Sequence, residues 1–410
     1  MSPVDTSPEF SRDKAESLHD DDVVKGLPEP ENRKFYPALD GLRAVAVLLV
    51  FCQHYMGLHP SLNWGWTGVD LFFVLSGFLI TGILYDTRET AHRFYNFYMR
   101  RTLRIFPLYY AVLLIAVVAA PFLRWVWHPS ALLLPLYLAN YSRFIWLGDW
   151  MRNPGAIDHL RSSLPLQPPF FYQIGHFWSL CVEEQFYLVW APIVFFVCDR
   201  VRLRNLCLIV CVACLAARIA GTIYLPSSYL DAEILYRLTP FRMDALLMGG
   251  ALALALRGPE MLKLEPWLRR MAVVLPLGLL LFDLIYKRVV HHYYFPAAGA
   301  KGLDTFGFTL IDLFAASLVY VLLQPSGWVF RLFTFRPLRQ LGQVSYGFYI
   351  FHDLLHGFYY RIGERVSMHL HLSDKHATAL IALCATLPLS FASFRYFESP
   401  ILRWKDRLTR

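Results

Sequence analysis

Charged residues are scarce in this chain. Asp, Glu, Lys and Arg make up 17% of its 410 residues and hydrophobic types 56%, a balance outside the soluble globular class. A disulfide framework is also missing. The seven cysteines fall within apolar segments or at their ends, and Cys207, Cys211 and Cys214, although they share a helical face, read as packing rather than as metal ligands. His369, His371 and His376 lack the fixed helical spacing of a zinc site, so no metal is expected. No Gly-rich phosphate loop and no internal repeat is present. Residues 1–34 contain none of the apolar core of a cleaved signal; they are polar and Pro-rich and are expected to form a disordered cytoplasmic tail.

What remains is apolar. Segments near 39–58, 66–85, 105–123, 176–197, 206–224, 236–256, 271–286, 306–323, 341–360 and 376–396 are long enough to span a bilayer and are bounded by charged residues, Pro or Gly. An eleventh stretch, 131–147, is short and carries Pro135 and Arg143, so it either spans or lies re-entrant. Charge decides between these. With ten spans and the N-terminus inside, cytoplasmic loops collect most of the 39 Lys and Arg; an eleventh span would spread them almost evenly over both sides. The expected fold is an all-α integral membrane bundle of about ten transmembrane helices with both termini cytoplasmic. A membrane domain at 35–400 is followed by a basic tail at 401–410. In a bacterium this chain belongs to the plasma membrane, surrounded by membrane lipids. The net charge of +8 is then a topology signal, with no nucleic-acid partner to explain.

Arg43 and His54 interrupt the first span. Eleven helical steps leave them ~20° apart around the axis and ~16 Å apart along it, so both face one crevice at different depths. The plainer alternative has Arg43 snorkelling to the headgroups and His54 bonding a neighbouring helix. Further polar groups interrupt other spans. Asp70, Glu183, His352, Asp244 and Asp312 come out at depths near that of His54, forming an acidic and imidazole layer in the outer half of the membrane. At the cytoplasmic edge Arg101 and Arg104, i and i+3 on one face, offer guanidinium forks suited to phosphate; the alternative for them is loop anchoring. Together the two levels describe a phosphate-bearing donor at the cytoplasmic mouth and a general base deeper on the same helix face. Acyl-CoA has that shape. His54 is suited to deprotonating an acceptor hydroxyl, with Glu183 the expected carboxylate partner and Asp70 the alternative, since depth is readable but azimuth between helices is not. Ser76 and Gly77 are read as a close helix contact, as are Gly249 and Gly250.

The runs FYPALDGLRAVAVLLVFCQH (35–54), GWTGVDLFFVLSGFLIT (65–81), FYMRRTLRIFPLYY (97–110), HFWSLCVEEQFYLVW (176–190) and LGQVSYGFYIFH (341–352), in this order, resemble acyltransferase family 3, integral-membrane acyltransferases of envelope glycans and some small molecules. The resemblance extends to FESP at 397–400. The family's Arg-ten residues-His pattern falls on Arg43 and His54, and its Arg-x-x-Arg pattern on Arg101 and Arg104. Its Trp-Ser-Leu-x-x-Glu element falls on Trp178, Ser179, Leu180 and Glu183, and its sixth-helix element on Arg242 and Asp244. His352 and Glu398 match as well. The resemblance implies transfer of an acyl group, commonly acetyl, from cytoplasmic acyl-CoA to an acceptor hydroxyl, with His54 essential and the arginines serving the donor. Many members continue into an extracytoplasmic esterase-like domain. The sequence given stops soon after its tenth span, which leaves open a carbohydrate or glycolipid acceptor, or a small metabolite such as a macrolide. The expected acceptor surface is the loop at 124–175, where Trp146, Trp150, Phe170, Phe171 and Tyr172 either stack on sugars or form an interfacial belt. A proton-coupled transporter or flippase would use the same buried ionisable groups as a relay. A receptor or scaffold would leave them unexplained.

Overall fold

The computed structural model describes residues 36–56, 64–123, 129–142, 175–224, 234–290, 303–370 and 373–409, and every regular element among them is helical. The expected tail at 1–34 and the loop aromatics from Trp146 to Tyr172 lie outside the described residues, as does His371. Helix α1 (Pro37–Tyr55) opens on a proline in its first turn, where the missing N–H costs nothing, with Asp40 complementing the helix dipole. Next come α2 (Thr67–Asp86), α3 (Arg93–Leu123), α4 (Trp178–Val197), α5 (Arg200–Tyr224), α6 (Thr239–Ala255), α7 (Met261–Val290) and α8 (Phe308–Leu323). Short helices α9 (Gly327–Phe333), α10 (Arg336–Gln343) and α11 (Ser345–Leu354) precede α12 (His356–Leu370), α13 (Asp374–Ser393) and α14 (Ser399–Leu408).

Among the described residues eight helical segments are long and apolar enough to cross a membrane, so the chain is an all-α, multi-pass membrane protein. They coincide with eight of the ten expected spans. The other two differ. Residues 271–286 lie inside α7, which carries Arg269, Arg270 and Asp283. Residues 341–360 are divided among α10, α11 and α12, breaking at Val344 and Leu355, so the expected single span there is not one helix. The described part of 131–147, up to Ser142, likewise holds no continuous span: Pro129–Leu136 is a 3₁₀ helix of 8 residues, ~16 Å long, and it ends at Tyr137 in the left-handed region at φ 53°. Tyr109 and Tyr110 of α3 pin this segment by donating to the Leu134 and Pro135 carbonyls, each at 2.8 Å.

Helices α2 and α6 form the centre, 72% buried, whereas α5 is 22% buried and turns Leu208, Ile209 and Val212 outward. The centre is tight because small residues meet backbone: a Cβ on Gly77 would collide with the Leu246 main chain, and one on Gly249 with that of Val74. This is the close approach expected for Gly77 and Gly249, made within one chain. At the start of α1, Gly41 lies against the Phe333 backbone and Gly342 against that of Asp40, which fixes the helix turn that carries Arg43.

Candidate active site

Because α1 is unbroken from Pro37 to Tyr55, Arg43 and His54 keep their common face and their ~16 Å separation. Three arginines gather at one end of this face. Arg43 donates to Asp40 Oδ1 at 2.6 Å. Arg104 faces both Arg43 and Arg101, with Glu398 and Tyr187 nearby, and the Arg101 guanidinium lies 5.3 Å from the Tyr187 ring centroid. Among the described residues neither Arg101 nor Arg104 has a hydrogen-bonded or ion-paired partner. Converging guanidiniums with open forks repel one another unless an anion joins them, and phosphate oxygens match their geometry.

Glu183 lies at the arginine end of this face. Its carboxyl lies beside the Ser76 and Tyr187 hydroxyls, which bond each other, and it faces Arg101 and Arg43. Ser179, four residues earlier, donates to the Tyr349 hydroxyl at 2.5 Å, and Tyr349 in turn donates to the His176 carbonyl at 2.7 Å. This pins α11 to the start of α4.

His54 meets His352 at the other end. The His352 Nδ1 lies 2.6 Å from the Tyr349 carbonyl, and its Nε2 lies 2.9 Å from His54 Nδ1. A carbonyl only accepts, so Nδ1 of His352 carries a proton; in a neutral ring Nε2 is then an acceptor, and His54 Nδ1 must donate to it. The consequence reaches the reacting atom. His54 holds its proton on Nδ1 and presents a bare Nε2 lone pair, the tautomer a general base needs. The His352 side chain is fully buried and its carbonyl accepts from the Tyr55 hydroxyl, while His54 is exposed. Among the described residues no hydrogen bond or ion pair joins His54 to Glu183 or to Asp70. The partner is an imidazole where a carboxylate was expected.

Asp70 and the remaining acidic residues form a separate cluster. Asp70 pairs with Arg242, and Asp244 Oδ2 accepts from Arg218 at 2.6 Å. Arg218 also reaches the Phe241 carbonyl and the Thr309 hydroxyl, both at 2.6 Å. Asp312 lies beside them, and all five side chains are within 1% of complete burial. The expected layer of Asp70, Asp244, Asp312 and His54 is thus two sites. Sequence reasoning passed over Arg218, although a lone arginine in an apolar span was as visible there as at Arg43. It also passed over Asp353, the residue after His352.

The acyltransferase-domain family matches residues 36–395. The chain belongs to this family. Among curated relatives of this acyltransferase-family chain is the peptidoglycan O-acetyltransferase OatA of Listeria monocytogenes, 28% identical over 385 residues, covering 90% of this chain and 56% of the relative. Another is the O-acetyltransferase OatA of Staphylococcus aureus, 25% identical over 382 residues, with coverage of 92% and 59%. The chain thus spans less than two thirds of the length of either. No solved structure matches.

Proposed function

We propose that this protein is a plasma-membrane O-acyltransferase that moves an acyl group, acetyl first among them, from acyl-CoA to a hydroxyl of a cell-envelope carbohydrate. One observation carries the reading: on the α1 face where three arginines meet, the helix also presents the bare Nε2 of His54. The phosphates of acyl-CoA are held by Arg43, Arg101 and Arg104 on the cytoplasmic side, and the pantetheine arm lies along the crevice past Glu183 and Tyr187. His54 Nε2 takes the acceptor hydroxyl proton as the oxygen attacks the thioester carbonyl. The C–S bond then breaks and the departing thiolate takes the proton back from Nε2, leaving CoA-SH, the ester and neutral His54. The carbohydrate acceptor follows from the relatives named as peptidoglycan O-acetyltransferases; a small metabolite such as a macrolide is the alternative acceptor.

A proton-coupled transporter would need His54 to hand its proton onward. The imidazole pair ends at the Tyr349 carbonyl, which has no proton to give and keeps none, so the reading of a base that returns its proton is the better supported. The test is release of free CoA by purified protein supplied with acetyl-CoA and glycan fragments of peptidoglycan. Release that disappears in His54→Ala, with weakened acetyl-CoA binding in Arg104→Ala, is expected. Failure of the folded wild type to bind any acyl-CoA would overturn the reading.

A further inference from the structure

The acid that His54 lacked in the expected places is supplied by another element. Asp353 follows His352 near the end of α11. Its two carboxylate oxygens are flanked by imidazoles, with His176 Nδ1 3.5 Å from Oδ2 and His356 Nδ1 3.7 Å from Oδ1. His176 comes from the turn before α4 and His356 from the first residue of α12, so the carboxylate lies where three elements meet at the histidine end of the α1 face. The rings continue inward: His176 and His352 have centroids 5.0 Å apart, as do His352 and His54.

The charges around His54 explain why this placement matters. Apart from His352 in direct contact, the ionisable groups facing it are Asp353, His176 and His356, with Arg237 ahead of α6. Asp353 is the acidic member of that set; the others are imidazoles or a cation. Glu183 faces Ser76, Tyr187, Arg101 and Arg43, and Asp70 pairs with Arg242. When His54 takes a proton it becomes an imidazolium beside a neutral His352 whose own Nδ1 proton is committed to a carbonyl. At low dielectric such a charge needs a nearby counter-charge.

We infer that Asp353 is the positioning carboxylate of this site: standing between His176 and His356, it orients the imidazoles around it by its charge and offsets the positive charge that forms on His54 during transfer. It serves the reaction without touching the reacting atoms. The inference rests on the reading of His54 as the base. It also makes this end of the crevice depend on a His-Asp dipeptide, not on the acidic residues of α2 or α4.

The test compares Asp353→Asn and Asp353→Glu with wild type for CoA release at saturating acceptor across pH. Asp353→Asn is expected to lower kcat by about 10²-fold, the lower range of a general-base contribution, and to leave the KM for acetyl-CoA unchanged. Its acid limb should move to lower pH, because a negative charge that favours the imidazolium has been removed. Asp353→Glu should restore most of the rate and the wild-type limb. Wild-type kcat and pH profile in Asp353→Asn would overturn the inference, as would a KM increase matching the loss of kcat. If Asp353→Asn does not fold, the charge-keeping Asp353→Glu decides, since a loss of rate with a displaced acid limb there would equally overturn it. His54→Ala measured in parallel separates the two readings: activity in that variant removes the base itself, whereas its inactivity beside a wild-type-like Asp353→Asn removes the carboxylate's role alone.

Discussion

Two polar regions lie inside this apolar bundle, and they differ in what their charges have for company. In the cluster of α2, α5, α6 and α8 Asp70 faces Arg242 and Asp244 faces Arg218, all at 1% exposure or less. In the crevice along α1, Arg101 and Arg104 have open forks and His54 has an open lone pair. Both regions concern charge in a membrane, where an unpaired ion costs several kcal/mol. One meets most of that cost with two ion pairs from its own chain and is architecture, with Asp312 alone among its acids left without a hydrogen-bond or ion-pair partner among the described residues. The other leaves it to be met by a ligand, and that is where chemistry is to be sought.

The comparison is broken most severely at His54. His54→Ala should cut transfer by about 10²- to 10⁴-fold while thermal unfolding in detergent stays near wild type. An unfolding temperature that falls with activity would make His54 structural and erase the contrast. Arg242→Met should do the opposite. It strands Asp70 in the core at about 3–5 kcal/mol and should appear as a large loss of thermal stability. Asp70→Asn combined with Arg242→Met should recover much of it, since both charges are then gone; a double variant as unstable as the single would mean that the pair does more than cancel charge.

Arg104→Ala sharpens the distinction from the other side. Losing one charge-assisted contact to phosphate, about 1.5–3 kcal/mol, should raise the KM for acetyl-CoA about 10- to 100-fold. Because Arg104 repels Arg43 and Arg101, unfolding should not occur at lower temperature. The smallest effect belongs to a third kind of ion pair, in the turn before α7. Glu260 accepts from Arg200 and, at 2.6 Å, from Arg204, and these guanidiniums hold its carboxyl down from 4.5 to about 2. A lowered acid stabilises the fold above its unfolded value and loses that contribution as pH falls from about 4.5 toward about 2. Glu260→Gln should flatten the acid side of the stability curve slightly, the size being limited by solvent screening at this surface.

Legibility followed the same division. Arg43 and His54 share one helix, so their facing direction follows from 100° per residue and needs no knowledge of neighbours. Arg101 and Arg104 were legible for the same reason. Depth followed from rise per residue alone, and similar depth placed Asp70, Asp244, Asp312 and His54 in one imagined layer that is two separate sites. Asp353 was hidden by its setting: adjacent residues of a regular helix do not share a face, but α11 ends at Leu354 and turns at Leu355, which brings the carboxylate to the histidines of other elements.

The sequence by itself determined that this chain is an apolar helical bundle, that Arg43 and His54 share one helix face, and that Arg101 and Arg104 lie one turn apart on another. Each of these depends on a period within one segment. Only the tertiary structure decided that His54 is served by His352, that Asp70 belongs to Arg242, and that the last predicted span before α13 is three short helices. Those outcomes depend on the rotation of one helix about its axis relative to another, and that angle is set by which side chains and glycine backbones pack together, as Gly77 and Gly249 do between α2 and α6.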